Sequence, residues 1–433
     1  MRVSISTTKL NGGAPSGDGG VNSINPDFLV RDKDCNPIFP WNFVRTNTIY
    51  GIIHKGGGYT AWSDKHPSYS SVGGPTGNNS PLDTNVDDYY GPEINSNSQD
   101  YPSSTIKVAG CNPLPDQLAV MAGDDYTGSF QNIQCYDGLK VQAIINEIDG
   151  MNHNATLTKM VPTIFGMNFQ AVSIGQKLIY QHGNVASGYS ESGGYVDSIG
   201  TPSASLLKEI EFVDTSIGSM VAELKNKGLY DTTLIIITAK HGQSPIDSAR
   251  YIRNGKPNDP ATILKNFLAA SENSALGPTE DDVALLWLAD SAKTATAVAK
   301  LEKTSPAAGP GGTNSNIAGI GQIFSGRPLG ILYGTPGLLP TEDPRTPDII
   351  VTPNIGVTYS NSMKKLAEHG GFAHDDTNVI LLVSNPDLPR ATVYSLVATA
   401  QVGPTILEAL GLDPNQLRSA ILEGTQVLPG LPF

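Results

Sequence analysis

Two short stretches combine residue types that do chemistry. The first, Ala239-Lys240-His241-Gly242-Gln243, sets a cation, an imidazole and a permissive glycine side by side. The second, Glu368-His369-Gly370-Gly371-Phe372-Ala373-His374-Asp375-Asp376, repeats the His-Gly pair far along the chain. An imidazole suits a borderline metal such as Zn²⁺, and a following glycine lets the backbone turn so that the ring points into a cleft. Lys240 adds a fixed positive charge beside the imidazole. The plainer alternative for Lys240 and His241 is a pair of polar residues where a buried strand meets water. His374, Asp375 and Asp376 are near His369 in sequence, but a solvated loop is their expected role. Asp64-Lys65-His66-Pro67 is polar enough to face a site, yet reads better as a capped turn, because Asp and Pro both terminate strands.

The element that must position the first stretch is Thr233-Leu234-Ile235-Ile236-Ile237-Thr238. This uninterrupted aliphatic and β-branched run has the pattern of a strand buried on both faces of a parallel sheet. Its carboxyl end, where Lys240 and His241 sit, is where open α/β sheets bind ligands. Ser203 caps a preceding helix, Ala204 to Lys227, whose Leu206, Ile210, Val213, Ile217, Met220 and Leu224 form one apolar face, and Gly228 closes it. Helix followed by strand occurs twice earlier: Asn42 to His54 before Tyr59–Ser63, and Asp137 to Ile148 before Pro162–Ser173. This periodicity predicts an α/β fold, a doubly wound, mostly parallel sheet flanked by helices.

Residues 254–340 read as a smaller lobe inserted into a sheet domain made of residues 1–253 and 341–433. The lobe carries a helix at Ala261 to Ala270, a strand at Val283 to Leu288, a helix at Ser291 to Lys303, a glycine-rich tract from Gly309 to Gly321 and a hairpin around Ile331-Leu332-Tyr333. Buried strands follow at Asp348 to Thr352 and Asn378 to Ser384, then a helix from Val402 to Leu410. The first forty residues are loop chemistry, and the first regular unit looks like the second half of a βαβ crossover whose opening strand and turn are missing.

Composition narrows the partners. The 433 residues are 39% hydrophobic, enough to bury a large core. Lys and Arg number 28 against 41 Asp and Glu, a net charge of −13 that repels phosphate backbones, and no basic patch offsets it, so no nucleic-acid partner is expected. No apolar run reaches the roughly 20 residues of a membrane span, and the start lacks the apolar core of an export signal. Cys111 and Cys135 close one disulfide leaving Cys35 over, or all three are buried thiols; without a C-x-x-C pair a zinc knuckle is not expected. Sequons at Asn78 and Asn154 fit an extracellular surface, although two are also expected by chance in an Asn-rich chain.

The segments TLIIITAKHGQ, EHGGFAHDDTNVILLVSNP and QVGPTILEALGLDP, with VDTSIGSMVAELKNKGLYDTTLIII leading into the first, together resemble the type I phosphodiesterase and nucleotide pyrophosphatase family of the alkaline phosphatase superfamily. The resemblance runs from about Asn42 to Leu412. It implies two Zn²⁺-type ions at the carboxyl edge of the sheet, His241 ligating the one that activates a Thr or Ser nucleophile and His369 ligating the other. It also implies a phosphoric ester or other anionic small molecule as ligand, and relatives commonly secreted or displayed outside the cell.

The chain departs from the family pattern in three places. Lys240 stands where the family has a carboxylate. An expected Asp-x-x-x-His pair falls on Ser173 and Lys177 in one register, and on Asp197 and Thr201 in another. The nucleophile turn and the first metal-binding aspartate are expected upstream of residue 1. The resemblance therefore supports two expectations: a metal-dependent hydrolase of phosphoric esters or pyrophosphates, or a degenerate member that binds an anion without turning it over. A serine hydrolase is disfavoured, since no G-x-S-x-G elbow is present.

Overall fold

The computed structural model describes residues 24–32, 34–78, 80, 83–94, 106–181, 185–247, 249, 251–268, 279–303, 319–335, 338–343, 345–362 and 365–432. The expected glycine-rich tract up to residue 318, the opening loop up to residue 23, the centre of the first sequon and the end of the helix foreseen to Ala270 lie outside them. The chain divides into two compact units, one of residues 239–379 and one that, among the described residues, spans 24–238 and 380–432.

In the larger unit the amphipathic segments fold where their caps allow. Ser203 accepts from the Leu206 amide and starts the helix Ala204–Asn226, and Gly228 (φ 68°) follows its end. Ser129 caps the helix Phe130–Ile148, seven residues earlier than the apolar period suggests. Ile144, Ile148 and Leu224 of these two helices share one buried cluster. Each such side chain taken out of water contributes roughly 1.5–3 kcal/mol. Thr48 caps Ile49–Lys55, so the expected helix from Asn42 begins later, after a 3₁₀ turn at Pro40–Phe43. Leu407 of the helix Val402–Ala409 packs against Ile52 and Ile53.

The strand Ala61–Ser63 pairs in parallel with Asp88–Tyr90, and the same segment forms parallel bridges to Ile164 and Met167. Pairing stops there. The strand expected to run to Ser173 gives way to a helix at Ala171–Lys177, because the Asp137 carboxylate accepts both the Gln170 and the Ala171 amides at 2.7 Å and fixes that helix's first turn. Ile235–Thr238 pairs antiparallel with Leu381–Ser384, in register Thr238 with Leu381, and its isoleucines are half-buried. Among the described residues it has no parallel neighbour, unlike the strand buried on both faces that its sequence suggests. Cys111 and Cys135 form a disulfide and Cys35 is exposed, which decides against three buried thiols. No helix among the described residues is long and apolar enough to cross a membrane.

The smaller unit is built on a four-stranded antiparallel sheet in the order Thr279–Glu280, Ala284–Leu286, Ile349–Pro353, Ile320–Ser325. The helices Pro260–Phe267 and Thr294–Lys303 cover it, and Leu264, Ala297 and Leu301 meet Leu286, Ile349 and Val351 in a fully buried cluster. Residues 331–333, expected in a hairpin, end a helix, Gly326–Tyr333, whose Leu329 is buried. Pro328 is tolerated there because it falls in the first turn, where backbone N–H groups have no intrahelical partner.

Candidate functional site

All of the following site residues belong to the smaller unit. Ser244–Pro245 pairs antiparallel with Ala367–Glu368, Glu368 opposite Ser244. This two-residue ladder brings the two His-Gly pairs together: the His241 and His369 rings lie 4.1 Å apart between centroids, inclined by 31°. A second tie fixes the His241 turn. The Gly242 amide donates to the Asp376 carbonyl at 2.7 Å, and a Cβ at Gly242 would sit 1.9 Å from the Asp375 carbonyl oxygen. Only glycine permits that approach.

His241 Nδ1 lies 2.9 Å from the Gly242 carbonyl oxygen. A carbonyl only accepts, so Nδ1 carries the proton and the ring lone pair sits on Nε2, the tautomer in which Nε2 can ligate a metal. Lys240 is exposed beside it.

Around His369 the structure gathers acids that sequence reasoning missed. Ligand atoms of Asp281, Glu368 and His369 all lie within 4.8 Å of one another. Lys365 bridges the two carboxylates, bonded to Glu368 and 3.5 Å from Asp281. Burial works against its ammonium, but Glu368 and Asp281 outweigh that and raise its pKa. Asp282, 8% exposed, is pushed up to about 8 by burial first and then by the charges of Asp376, Glu368 and Asp281. Asp376 is raised chiefly by burial, against the bond donated to its Oδ2 by Ser244 Oγ at 2.8 Å. A Cβ on Gly371 would meet Asp376 Oδ2 at 2.7 Å and Asp282 Oδ2 at 3.4 Å, so the second glycine of the His-Gly-Gly run makes room for these carboxyls.

The expectation of a solvated loop holds for His374 and Asp375, which are exposed on the short helix His374–Thr377, and fails for Asp376, which is 4% exposed. The ladder at Ser244 draws Asp376 inward. The sequence signal for the missed acids was slight: Asp281-Asp282 directly ahead of the buried run at Val283, and Glu368 directly ahead of His369.

The other residues singled out in the sequence belong to the larger unit. Asp64 accepts from Trp62 Nε1 and Asn168 Nδ2, and its carboxylate caps the Lys65 amide, as expected of a turn. His66 is paired with Glu93 at 2.7 Å. Ser173 and Lys177 lie on the helix Ala171–Lys177. Asp197 accepts from the Ile199 and Thr201 amides in an exposed turn.

The family match and the similar solved structures place this α/β chain in the alkaline phosphatase-like class. Residues 101–374 match the family model for type I phosphodiesterase / nucleotide pyrophosphatase, and the chain belongs to that family. Among solved structures it is similar to mouse ectonucleotide pyrophosphatase / phosphodiesterase 5, at 14% identity and a TM-score of 0.50 over 95% of this chain and 86% of that one. The inactive variant of the same mouse protein in complex with AMP gives 14% identity and a TM-score of 0.50 over 95% and 84%. No curated protein sequence matches closely enough to count as a relative.

The family's metal dependence can be weighed against the residues present. An imidazole nitrogen and two carboxylate oxygens within 4.8 Å are a donor set that a borderline dication accepts. The buried Asp376 Oδ1 has no hydrogen-bond partner, as expected where a cation belongs nearby. The residues fit the group.

Proposed function

We propose that the chain is a metal-dependent hydrolase of phosphoric esters, acting on phosphodiester or pyrophosphate bonds of small molecules. His241 and His369 are its zinc ligands, and Lys240 contacts the substrate's phosphate oxygens. The observation that carries the reading is the meeting of the two His-Gly pairs at 4.1 Å, with His241 in the tautomer that leaves its lone pair on Nε2. A bound dication supplies charge to offset what develops on a phosphoryl group. Lys240 supplies a further positive charge on a flexible stem, which holds the anion in place. Family membership supports the reaction class, and the AMP bound by the inactive mouse protein supports a nucleotide-like substrate.

On this reading the chain shares the doubly wound, mostly parallel sheet flanked by helices of its superfamily, and the lobe at 254–340 tunes substrate choice. No residue is assigned as nucleophile. A second reading, a non-catalytic anion binder, draws on one observation: Lys240 stands where the family resemblance expects a metal-binding carboxylate.

The test is zinc content of the purified chain together with hydrolysis of an aryl phosphodiester, with His241→Ala as control. Bound zinc and turnover that both fall in the control are the expected result. A folded chain that takes up no zinc and shows no turnover would leave only the anion-binding reading.

A further inference from the structure

The larger unit holds an imidazole that the zinc reading does not use. Ala61–Ser63, Asp88–Tyr90 and the segment bridging through Ile164 and Met167 run parallel, so the residues that follow them gather at one carboxyl edge. Such edges are where open α/β sheets bind ligands. Lys65 and His66 come after the first strand and Glu93 after the second.

His66 is held in place from several sides. Its Nδ1 lies 2.7 Å from Oε1 of Glu93, a residue 1% exposed. A carboxylate only accepts, so Nδ1 carries the proton and, in the neutral ring, Nε2 keeps the lone pair. The ring stacks on Tyr69, with 5.8 Å between centroids and 13° between planes. The His66 carbonyl accepts from the Tyr89 hydroxyl at 2.7 Å and the Tyr69 amide at 3.0 Å, and the Ile94 amide donates to the Lys65 carbonyl at 3.1 Å. With 12% of its side chain exposed, the imidazole is fixed yet open to solvent. The Lys65 ammonium, 5.9 Å from the centroid of the same Tyr69 ring, adds positive charge to this edge.

We propose that His66 is the base of a second site, in the larger unit, which hydrolyses a small carboxylic ester by activating water. His66 Nε2 takes a proton from water as the water oxygen bonds to the acyl carbon. When the bond from that carbon to the leaving oxygen breaks, Nε2 gives the proton to the departing oxygen, and a carboxylic acid and an alcohol remain. Glu93 is the positioning residue: it holds the ring in the required tautomer and stabilises the imidazolium between the two transfers. Lys65 offsets the charge that develops on the acyl oxygen. The acyl class follows from the charge available, since one ammonium serves one oxyanion whereas phosphoryl oxygens call for the greater charge of a dication. The inference stands apart from the zinc reading and shares no residue with it.

The test is hydrolysis of para-nitrophenyl acetate by the full chain in excess chelator, beside His66→Gln, Glu93→Leu, Glu93→Gln and, as a control, His374→Gln at an exposed imidazole. Circular dichroism checks each fold. The wild type is expected to release nitrophenolate faster than buffer, His66→Gln to lose about tenfold or more of that rate, and His374→Gln to keep it. Carbethoxylation of His66 in the folded wild type, reversed by hydroxylamine, is expected to give the same loss and recovery without any substitution. NMR of the ring nitrogens is expected to show the Nδ1–H tautomer of His66 lost together with the rate in Glu93→Leu, and the tautomer restored in Glu93→Gln, which keeps an acceptor. A wild type no faster than buffer overturns the inference, as does a His66→Gln rate equal to the wild type's or a loss as large in His374→Gln. An unchanged rate in Glu93→Leu refutes the positioning role. None of these outcomes touches the zinc reading, which the metal-content assay decides.

Discussion

Glu209 gives the prediction whose size can be worked out most directly. It lies on the helix Ala204–Asn226 with its side chain fully buried, accepting one bond from Gln134 Nε2 at 3.2 Å while its Oε2 has no partner. Gly175 of the neighbouring helix comes so near that a Cβ there would lie 2.9 Å from Glu209 Cγ. Burial, reinforced by the charge of Asp137 and only partly relieved by Gln134, pushes the carboxyl up to about 9 from 4.5. The folded state therefore keeps a proton that the unfolded chain has released above about pH 4.5. Because the folded pKa is raised, the unfolded state binds fewer protons in this window, and stability falls as pH rises until the folded pKa is reached. At about 1.4 kcal/mol per pH unit, the three units from about pH 5 to pH 8 cost about 4 kcal/mol.

Glu209→Gln keeps the shape and the bond to Gln134 and removes the ionisation. Urea unfolding of both proteins across that range, followed by far-ultraviolet circular dichroism, reads the difference directly. The variant's advantage over the wild type is expected to grow by about 4 kcal/mol between about pH 5 and pH 8. A stability difference that stays constant with pH would show that Glu209 titrates normally, and the burial argument would fail.

Three other outcomes follow from the same structure. Cys111→Ser is expected to cost about 3.5 kcal/mol, since the disulfide closes a loop with a sequence separation of 24, and thermal melting with and without reductant checks it. Gly242→Ala places a methyl 1.9 Å from the Asp375 carbonyl, so the His241 turn must move; zinc affinity is expected to fall by about tenfold or more while the larger unit's melting is unchanged. Lys240→Asp exchanges a cation for an anionic oxygen ligand and is expected to strengthen zinc binding, and unchanged or weaker affinity by calorimetry would count against the site as drawn.

Much of the helical framework was legible because two signals coincide in it. The apolar face of Ala204–Asn226 is bounded by Ser203 and Gly228, and the structure ends the helix within a residue of that reading. Pairing sense was not legible, because period and composition are alike in parallel and antiparallel strands; Ile235–Thr238 shows this by pairing antiparallel with Leu381–Ser384. Residues 331–333 misled for a related reason: a short apolar run fits a strand or a helix, and a proline in the first turn is no obstacle to the latter. The histidines announced themselves through their glycines. The acids beside them did not, since a carboxylate in sequence gives no sign of burial, and Asp281 and Glu368, far apart in the chain, meet only once it is folded.

The ladder between Ser244–Pro245 and Ala367–Glu368 also bears on how freely the segment between its strands can vary. Together with the bond from Gly242 to the Asp376 carbonyl, it pins both ends of the intervening segment at one point, so residues 246–366 leave and return through a single gateway. The entropy of closing a loop rises only slowly with its length, by about 0.6 kcal/mol for each doubling. Loops inside the gateway can therefore lengthen or shorten at small cost while both histidines, which stand on its posts, keep their positions.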